Sequence, residues 1–392
     1  RVTEVTDELQ RLLNEFKVEL AVLKGRVDGL DAKVGQLEAT QFSTTTKLKG
    51  EATFVLGGVP GLETNAGGNV GNTAFNYDLR LNFDTSFTGK DLLRTRLRAG
   101  NFSSDPFGSS SSLFKLDKAE TTDNSVEIDR LYYQFPVSKS VTVTAGPLVR
   151  NTEMAWVPTA YKSEILDFFA VAGAPGVYNK ATGAGVGVQY AGKGGLVAGL
   201  NYVAQNGDDS QTGVFDSDGA LNFLAQVGYR APQWGVGVGY RYGSEGTRPR
   251  SYNGLLGANG ALVDGQESNA VALNAYWQPS KSGIIPSISA AYGYNFVSGA
   301  TGATDATNSD SWMVGLQWSD VFVAGNSAGI AVGQAPSAET AGVDDATMLE
   351  IFYKFQVTDN ISITPALFYV DNNQRYQDSN KWGGVVQTKF TF

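Results

Sequence analysis

The chain contains no cysteine and no histidine. Without thiols there is no disulfide framework and no thiolate nucleophile. Without imidazole the commonest general base is missing, and with both absent most zinc sites are excluded. Carboxylate or Ser–Lys chemistry stays open on composition, but no spacing in the sequence suggests it. Long hydrophobic runs are missing too. No window approaches the roughly 18 consecutive apolar residues of a transmembrane helix, which excludes a helical membrane protein. It does not exclude a membrane barrel, whose alternating strands keep mean hydropathy low. Nor is there a positive surplus: 30 Lys and Arg against 39 Asp and Glu leave a formal charge of −9, the wrong sign for nucleic acid. An absence of cysteine suits an exported protein. A start at Arg1, with neither initiator Met nor signal peptide, is expected of a processed or trimmed form.

What is present falls into two unequal parts, expected at residues 1–42 and 43–392 of the 392-residue chain. In the first, Leu9, Leu12, Phe16, Leu20, Leu23, Val27, Leu30, Val34 and Leu37 recur at steps of three and four, with charged residues over much of the remainder. The steps alternate except for one extra step of four between Phe16 and Leu20, a stutter in a heptad pattern. So narrow and persistent a seam points to an oligomerising coiled coil; the plainer reading is an amphipathic helix lying on a domain. Gly25, Gly29 and Gly35 each weaken the helix by about 1 kcal/mol relative to Ala, so it is expected to need partners.

From about residue 44 the period changes to two. In "AFNYDLRLNFDTSF" (74–87), Phe75, Tyr77, Leu79, Leu81, Phe83 and Phe87 share one parity, and Asn76, Asp78, Arg80, Asn82, Asp84 and Ser86 the other. Such alternation is a strand with one apolar face. The pattern repeats through the chain, including a segment counted from Ile284, and predicts about sixteen strands, the number of a porin-size barrel. The connections sort into short ("GK" 89–90, "KG" 193–194, "PQ" 232–233) and long (58–73, 103–124, 151–180, 245–266). A soluble sandwich has no reason to alternate them, whereas an outer-membrane barrel has short periplasmic turns and long external loops. Aromatic residues gather beside the short turns: Phe87, Phe135, Tyr190, Tyr229, Trp277, Trp318, Phe355 and Phe392. These are the expected girdle at a water–lipid boundary. The predicted fold is therefore an all-β transmembrane barrel of antiparallel strands behind a helical coiled coil, with the apolar parity on lipid and the charged parity on water.

A barrel of this size leaves a lumen. Arg94, Arg96 and Arg98 stack on the inward parity of one strand, with Arg80 on the preceding strand and Arg130 on the following one. A packed core does not tolerate such a set, so a basic pore wall is expected, against the alternative of a soluble sheet's solvated face. The insertion at 151–180 carries Glu153, Glu164 and Asp167 among apolar residues. Folded into the lumen, it would set acidic groups against the arginines and create a transverse field at a constriction. Left outside, it would cover the mouth or clasp a neighbour.

Two motif matches carry little. "GVGVGY" and "GAGVGV" lack the helix that nucleotide binding requires and are better explained as inward glycines on crowded strands. "DSDG" at 216–219 lacks the closing Glu of a calcium loop. No cofactor and no metal are expected.

"LEATQFSTTTKLKGEATF" (37–54), "EIDRLYYQFPVSKSVTVTAGPLV" (127–149) and the terminal "VVQTKFTF" resemble the cyanobacterial S-layer-homology-domain porins of the OprB-like carbohydrate-selective superfamily. A terminal Phe392 on the outward parity also resembles the signal read by barrel-assembly machinery. The resemblance implies a homotrimer in outer-membrane lipid, with coiled coils in the periplasm. It also implies an N-terminal domain, absent from these residues, that binds peptidoglycan-linked polysaccharide. Sugar specificity need not follow the superfamily's name, since this branch is often associated with small inorganic ions. The expected function is passive diffusion of ions and small hydrophilic solutes; the rival is a closed barrel serving as an envelope anchor.

Overall fold

The computed structural model describes residues 2–40, 45–254, 260–299, 302, 305–340, 342–377 and 380–392. The chain divides into two compact units, Arg1–Lys47 and Leu48–Phe392.

The first unit is dominated by one helix, α1 (Val2–Thr40). Its apolar stripe of Leu9, Leu12, Phe16, Leu20, Leu23, Val27 and Leu30 is exposed throughout. The last two members of the series, Val34 and Leu37, lie outside the residues whose side chains are described. Glu8 and Arg11 form an ion pair at 3.0 Å one turn apart, a surface contact of small energetic weight.

The second unit is a closed barrel of sixteen strands. They are β1 (Thr46–Gly58), β2 (Ala74–Thr85), β3 (Leu92–Gly100), β4 (Glu127–Pro136), β5 (Val141–Arg150), β6 (Thr182–Ala191), β7 (Leu196–Ala204) and β8 (Leu221–Arg230), followed by β9 (Trp234–Gly243), β10 (Glu267–Trp277), β11 (Ser287–Ser298), β12 (Ser309–Ser319), β13 (Ser327–Gln334), β14 (Thr347–Thr358), β15 (Ile361–Val370) and β16 (Lys381–Thr391). Each pairs antiparallel with the next, and β1 closes on β16 in a register running from Glu51 opposite Thr391 to Gly58 opposite Gly384. Closure leaves no strand edge and satisfies the ladder internally, the condition for a sheet to sit in hydrocarbon.

The period of two sorts the side chains as the pattern requires. Leu200, Val227, Val238, Leu273, Leu367 and Val386 face out and are exposed, while Asn201, Asn222 and Asn274 face in and are buried. Every even-to-odd connection is a turn at one rim, and every odd-to-even connection at the opposite rim is longer. Phe135, Tyr190, Tyr229, Trp277, Trp318 and Phe355 stand near the ends of β4, β6, β8, β10, β12 and β14 at the short-turn rim, with Phe87 just beyond β2 and Phe392 just beyond β16. One strand boundary differs from the sequence expectation. Ile284 is not on β11 but in the preceding turn, largely exposed, because Pro286 has no N–H for the ladder and the strand begins at Ser287.

Candidate functional site

A barrel this wide cannot be filled by its own side chains, and here two long connections fill part of it. Residues 151–181, between β5 and β6, lie inside the barrel. Tyr161, Ile165, Leu166, Phe168 and Phe169 from this segment are buried together with Met313, Ala331, Phe352, Ala366 and Phe368 from the inner faces of β12–β15. The loop backbone has no ladder of its own, so inward polar side chains supply partners. Ser289 Oγ accepts from the Ala160 and Tyr161 amides at 2.9 and 3.0 Å. Asn274 Nδ2 donates to the Ala172 carbonyl at 3.1 Å, and Ser311 Oγ to that of Gly173 at 3.0 Å. Arg241 donates to the Gly176 carbonyl. Glu350, fully buried on β14, accepts from the Leu166 amide at 2.7 Å and the Tyr161 hydroxyl at 2.9 Å.

The glycine runs that resemble nucleotide-binding motifs make room for this loop. A Cβ on Gly239 would stand 2.8 Å from Val177 Cγ1, and one on Gly237 2.8 Å from Pro158 Cγ. At those positions any larger inward residue would displace the loop.

Residues 101–126, between β3 and β4, fold inward as well, which the sequence reading did not anticipate. Phe102, Phe107, Leu113, Phe114 and Leu116 join the same apolar cluster as the longer loop. The two loops exchange backbone hydrogen bonds, Asp117 N to Ile165 O and Asp167 N to Lys115 O, both 2.8 Å.

The predicted arginines lie together on β2–β4, outside this apolar cluster, and each is answered by a carboxylate. Arg94 chelates Asp84 at 2.8 and 2.9 Å. Arg96 pairs with Asp129 at 2.6 Å, and Arg98 with Asp78 and Glu120. Arg80 reaches Asp78 at 3.0 Å, and Arg130 holds both oxygens of Glu153 at 3.0 Å. The wall is thus a mixed-charge lattice rather than a bare row of cations. A bulge at Arg96/Leu97 sets Arg130 opposite Arg96 and crowds like charges, which Asp129 and Glu153 offset.

Of the three acidic loop residues, only Glu153 reaches this wall. Glu164 binds Lys389 at 2.6 Å and Lys118 at 3.4 Å. Asp167 is buried between Lys180 at 2.6 Å and Arg250 at 2.7 Å. Burial alone would raise the Asp167 carboxyl, but Arg250 and then Lys180 outweigh it and hold it well below the usual range. The counter-charges Asp78 and Asp84 stood on the charged parity of 74–87, and Asp129 directly precedes Arg130. Residue type and parity were legible there, but the pairing was not.

Above the lattice lies a cavity of about 680 Å³. It is bounded by Arg98 and Arg150 at the ends of β3 and β5, by Lys115, Asp117 and Glu120 from residues 101–126, by Lys180, by Arg248 and Arg250 from the β9–β10 connection, and by Arg375. Burial, followed by the nearby Arg250, pushes the Lys115 ammonium down to about 7.

A closed sixteen-strand antiparallel barrel, with alternating outward apolar residues, two infolded loops and a charged inner wall, is an outer-membrane porin. The chain belongs to the carbohydrate-selective porin OprB family, whose model matches residues 4–392. It is 34% identical to the uncharacterized protein alr4550 of Nostoc sp. over 98% of this chain and 72% of that one. It is 29% identical to the uncharacterized protein sll0772 of Synechocystis sp. over 98% of this chain and 76% of that one. Among solved structures, Pseudomonas putida OprB at high pH matches with a TM-score of 0.63 and 12% identity, covering 89% of this chain and 94% of that one. An anion-selective porin from Comamonas acidovorans matches with a TM-score of 0.57 and 13% identity, covering 89% and 99%. Both structural likenesses concern the fold. As a porin of this family, the protein passes solutes by passive diffusion.

Proposed function

We propose that the solutes are inorganic ions and small hydrophilic molecules, selected at the level where residues 151–181 face the arginine lattice. The observation that carries this reading is the position of that loop. Inside the barrel its aromatic residues pack against the inner faces of β12–β15 and not against the arginines of β2–β4, and the proposed path runs on the arginine side. A fixed array of paired charges in a low-dielectric collar produces a field across the path that dipolar and charged solutes experience in passing. The eight rim aromatics form the girdle that holds the short-turn end at headgroup depth.

The exposed seam of α1 supports a homotrimer whose helices form a periplasmic coiled coil, with residues 1–42 as the stalk and 43–392 as the membrane domain. The curated relatives are longer than this chain. That length accommodates a further domain, which we propose is an S-layer homology domain that binds peptidoglycan-linked polysaccharide and ties the outer membrane to the wall.

Liposome swelling with the purified native oligomer tests the diffusion reading. Swelling in salts and in small neutral sugars is expected of an open pore, and swelling in salts alone of a constriction narrower than a sugar. No swelling in either would replace this reading with a closed anchor.

A further inference from the structure

The cavity above the lattice is lined by more positive charge than the protein neutralises. Four of its cations are answered. Arg98 meets Asp78 and Glu120, Lys180 meets Asp117 at 2.5 Å and Asp167 at 2.6 Å, Arg250 meets Asp167 at 2.7 Å, and Arg375 meets Asp105 at 2.9 Å. Three are not. Among the described residues the Lys115 ammonium donates to the Ala119 carbonyl at 2.7 Å and the Arg150 guanidinium to Thr182 Oγ1 at 3.2 Å, while Glu153 meets Arg150 only at its backbone amide. Arg248 projects its exposed side chain at the cavity. Among the described residues, none of these three has a carboxylate within ion-pair distance. They come from three different segments: the β3–β4 connection, the end of β5 and the β9–β10 connection. The fold therefore places all three on one cavity beside further cations, and Asp167 and Glu120 offset only part of the positive charge around Lys115.

The remaining lining is polar. Ser109, Ser110 and Ser111 present a run of hydroxyl-bearing residues along one side, with Tyr252 and Asn253 nearby. A volume of about 680 Å³ is in the range of sites that hold a small metabolite. Guanidinium forks, an ammonium and hydroxyl donors converging on a polar cavity match the geometry of a multivalent oxyanion, which offers several acceptor oxygens at once.

We propose that this cavity is a binding station for small oxyanions of the phosphate and sulfate class, either free or carried on a small sugar, which it concentrates above the constriction. The inference rests on the diffusion reading above and deepens it by naming a solute class. A dianion held by three otherwise unanswered cations gains more than a monovalent halide does. It also loses less hydration than it would in an apolar pocket. Saturable affinity for the dianion above that for chloride is the consequence.

Equilibrium dialysis of the detergent-solubilised native protein against radiolabelled inorganic phosphate, in constant potassium chloride, tests it directly. Saturable binding is expected, at least tenfold weaker in R150Q/R248Q and several-fold weaker in R248Q alone. Arg248 is exposed and donates no side-chain hydrogen bond among those observed, so the single variant is not expected to disturb folding. Glucose 6-phosphate should displace the label and glucose should not. Competition by sugar phosphate at lower concentration than by phosphate itself would assign the station to phosphorylated sugars, and the reverse order to the free ion. Absence of saturable binding, or equal binding by the R150Q/R248Q variant, overturns the proposal. Planar-bilayer recording separates it from the diffusion reading. Chloride current that phosphate does not reduce would overturn the station and leave the pore. Phosphate bound by a protein that carries no current would overturn the pore and leave the station.

Discussion

On β2–β4 the inner wall is built of Arg80, Arg94, Arg96, Arg98 and Arg130 with their carboxylates, whereas on β12–β16 the equivalent inward positions carry Met313, Ala331, Phe352, Phe368 and Val385. Both walls alternate with outward apolar residues, and both belong to one continuous sheet. The difference lies in what covers them. The apolar wall is buried under the aromatic residues of two infolded loops, whereas the charged wall is held by ion pairs and borders the cavity at Arg98. A lumen wall is therefore not one environment. The dry side fixes where the loops sit, and the proposed solute path runs on the charged side. Area burial is non-directional, so it alone would let the loops slide; the few buried hydrogen bonds supply the register.

The sharpest way to break the dry side is Glu350→Ala. It strands the Leu166 amide and the Tyr161 hydroxyl inside an apolar cluster, at a cost on the order of 1–3 kcal/mol for each unsatisfied donor. Hydrogen exchange at the Leu166 amide should accelerate by about two orders of magnitude, and liposome swelling in a disaccharide should rise several-fold as the loop leaves the wall. Unchanged exchange and swelling would show that apolar packing alone sets the loop.

The charged side breaks differently. Replacing Arg94, Arg96 and Arg98 together with Gln leaves Asp78, Asp84 and Asp129 underneutralised, so reversal potentials should shift several-fold in permeability ratio toward cations. The shift should be large in 0.1 M potassium chloride and small in 1 M, because the screening length falls from about 10 Å to about 3 Å. No shift at low salt would mean that these residues brace the wall without touching the ion path.

The contrast between the sides also explains what the sequence made legible. Strand number, facing and the alternation of connections follow from local rules, parity and turn chemistry, and were readable residue by residue. The inward arginines were readable for the same reason. Their partners were not, because opposite strands, a bulge and a loop bring Asp84, Asp129 and Glu153 to them. Glu164 and Asp167 show the limit most clearly. Their segment was expected to face the arginines, yet they meet Lys389, Lys118, Lys180 and Arg250, cations separated from them by up to most of the barrel. The inward fold of residues 101–126 left only a scatter of Phe and Leu among serines. Such a signal has no period, because a loop buried inside a barrel has no regular face.

A third experiment reads the border between the sides, where Lys115 is 8% exposed at the cavity. Arg250 and Arg98 disfavour its charge, and Asp167 and Glu120 favour it; burial leaves it titrating at about 7. It is charged below that pH and neutral above, so the cavity loses one positive charge between pH 6 and pH 8. Sulfate stays a dianion throughout, which isolates the protein's titration from the ligand's. Its affinity should fall about threefold over that interval, the scale of one screened charge acting on a dianion. In Lys115→Gln the profile should be flat, and a slope as steep as that of the parent protein would assign the titration elsewhere.

The smallest effect expected divides the Glu350 clasp into its two bonds. Tyr161→Phe removes the hydroxyl but keeps the ring against Phe169 and Phe352, where centroids lie 6.2 and 5.8 Å away. Glu350 retains the Leu166 amide, so one acceptor oxygen loses a partner while the loop keeps its anchor and its packing. The net loss of a single hydrogen bond is about 1 kcal/mol, which corresponds to about fivefold faster exchange at Leu166. Swelling should not change. If Tyr161→Phe instead matched Glu350→Ala, the hydroxyl would be the anchor and the Leu166 bond incidental. If it had no effect on exchange, the loop would be held through its backbone, and the aromatic residues of the dry side would serve only to exclude water.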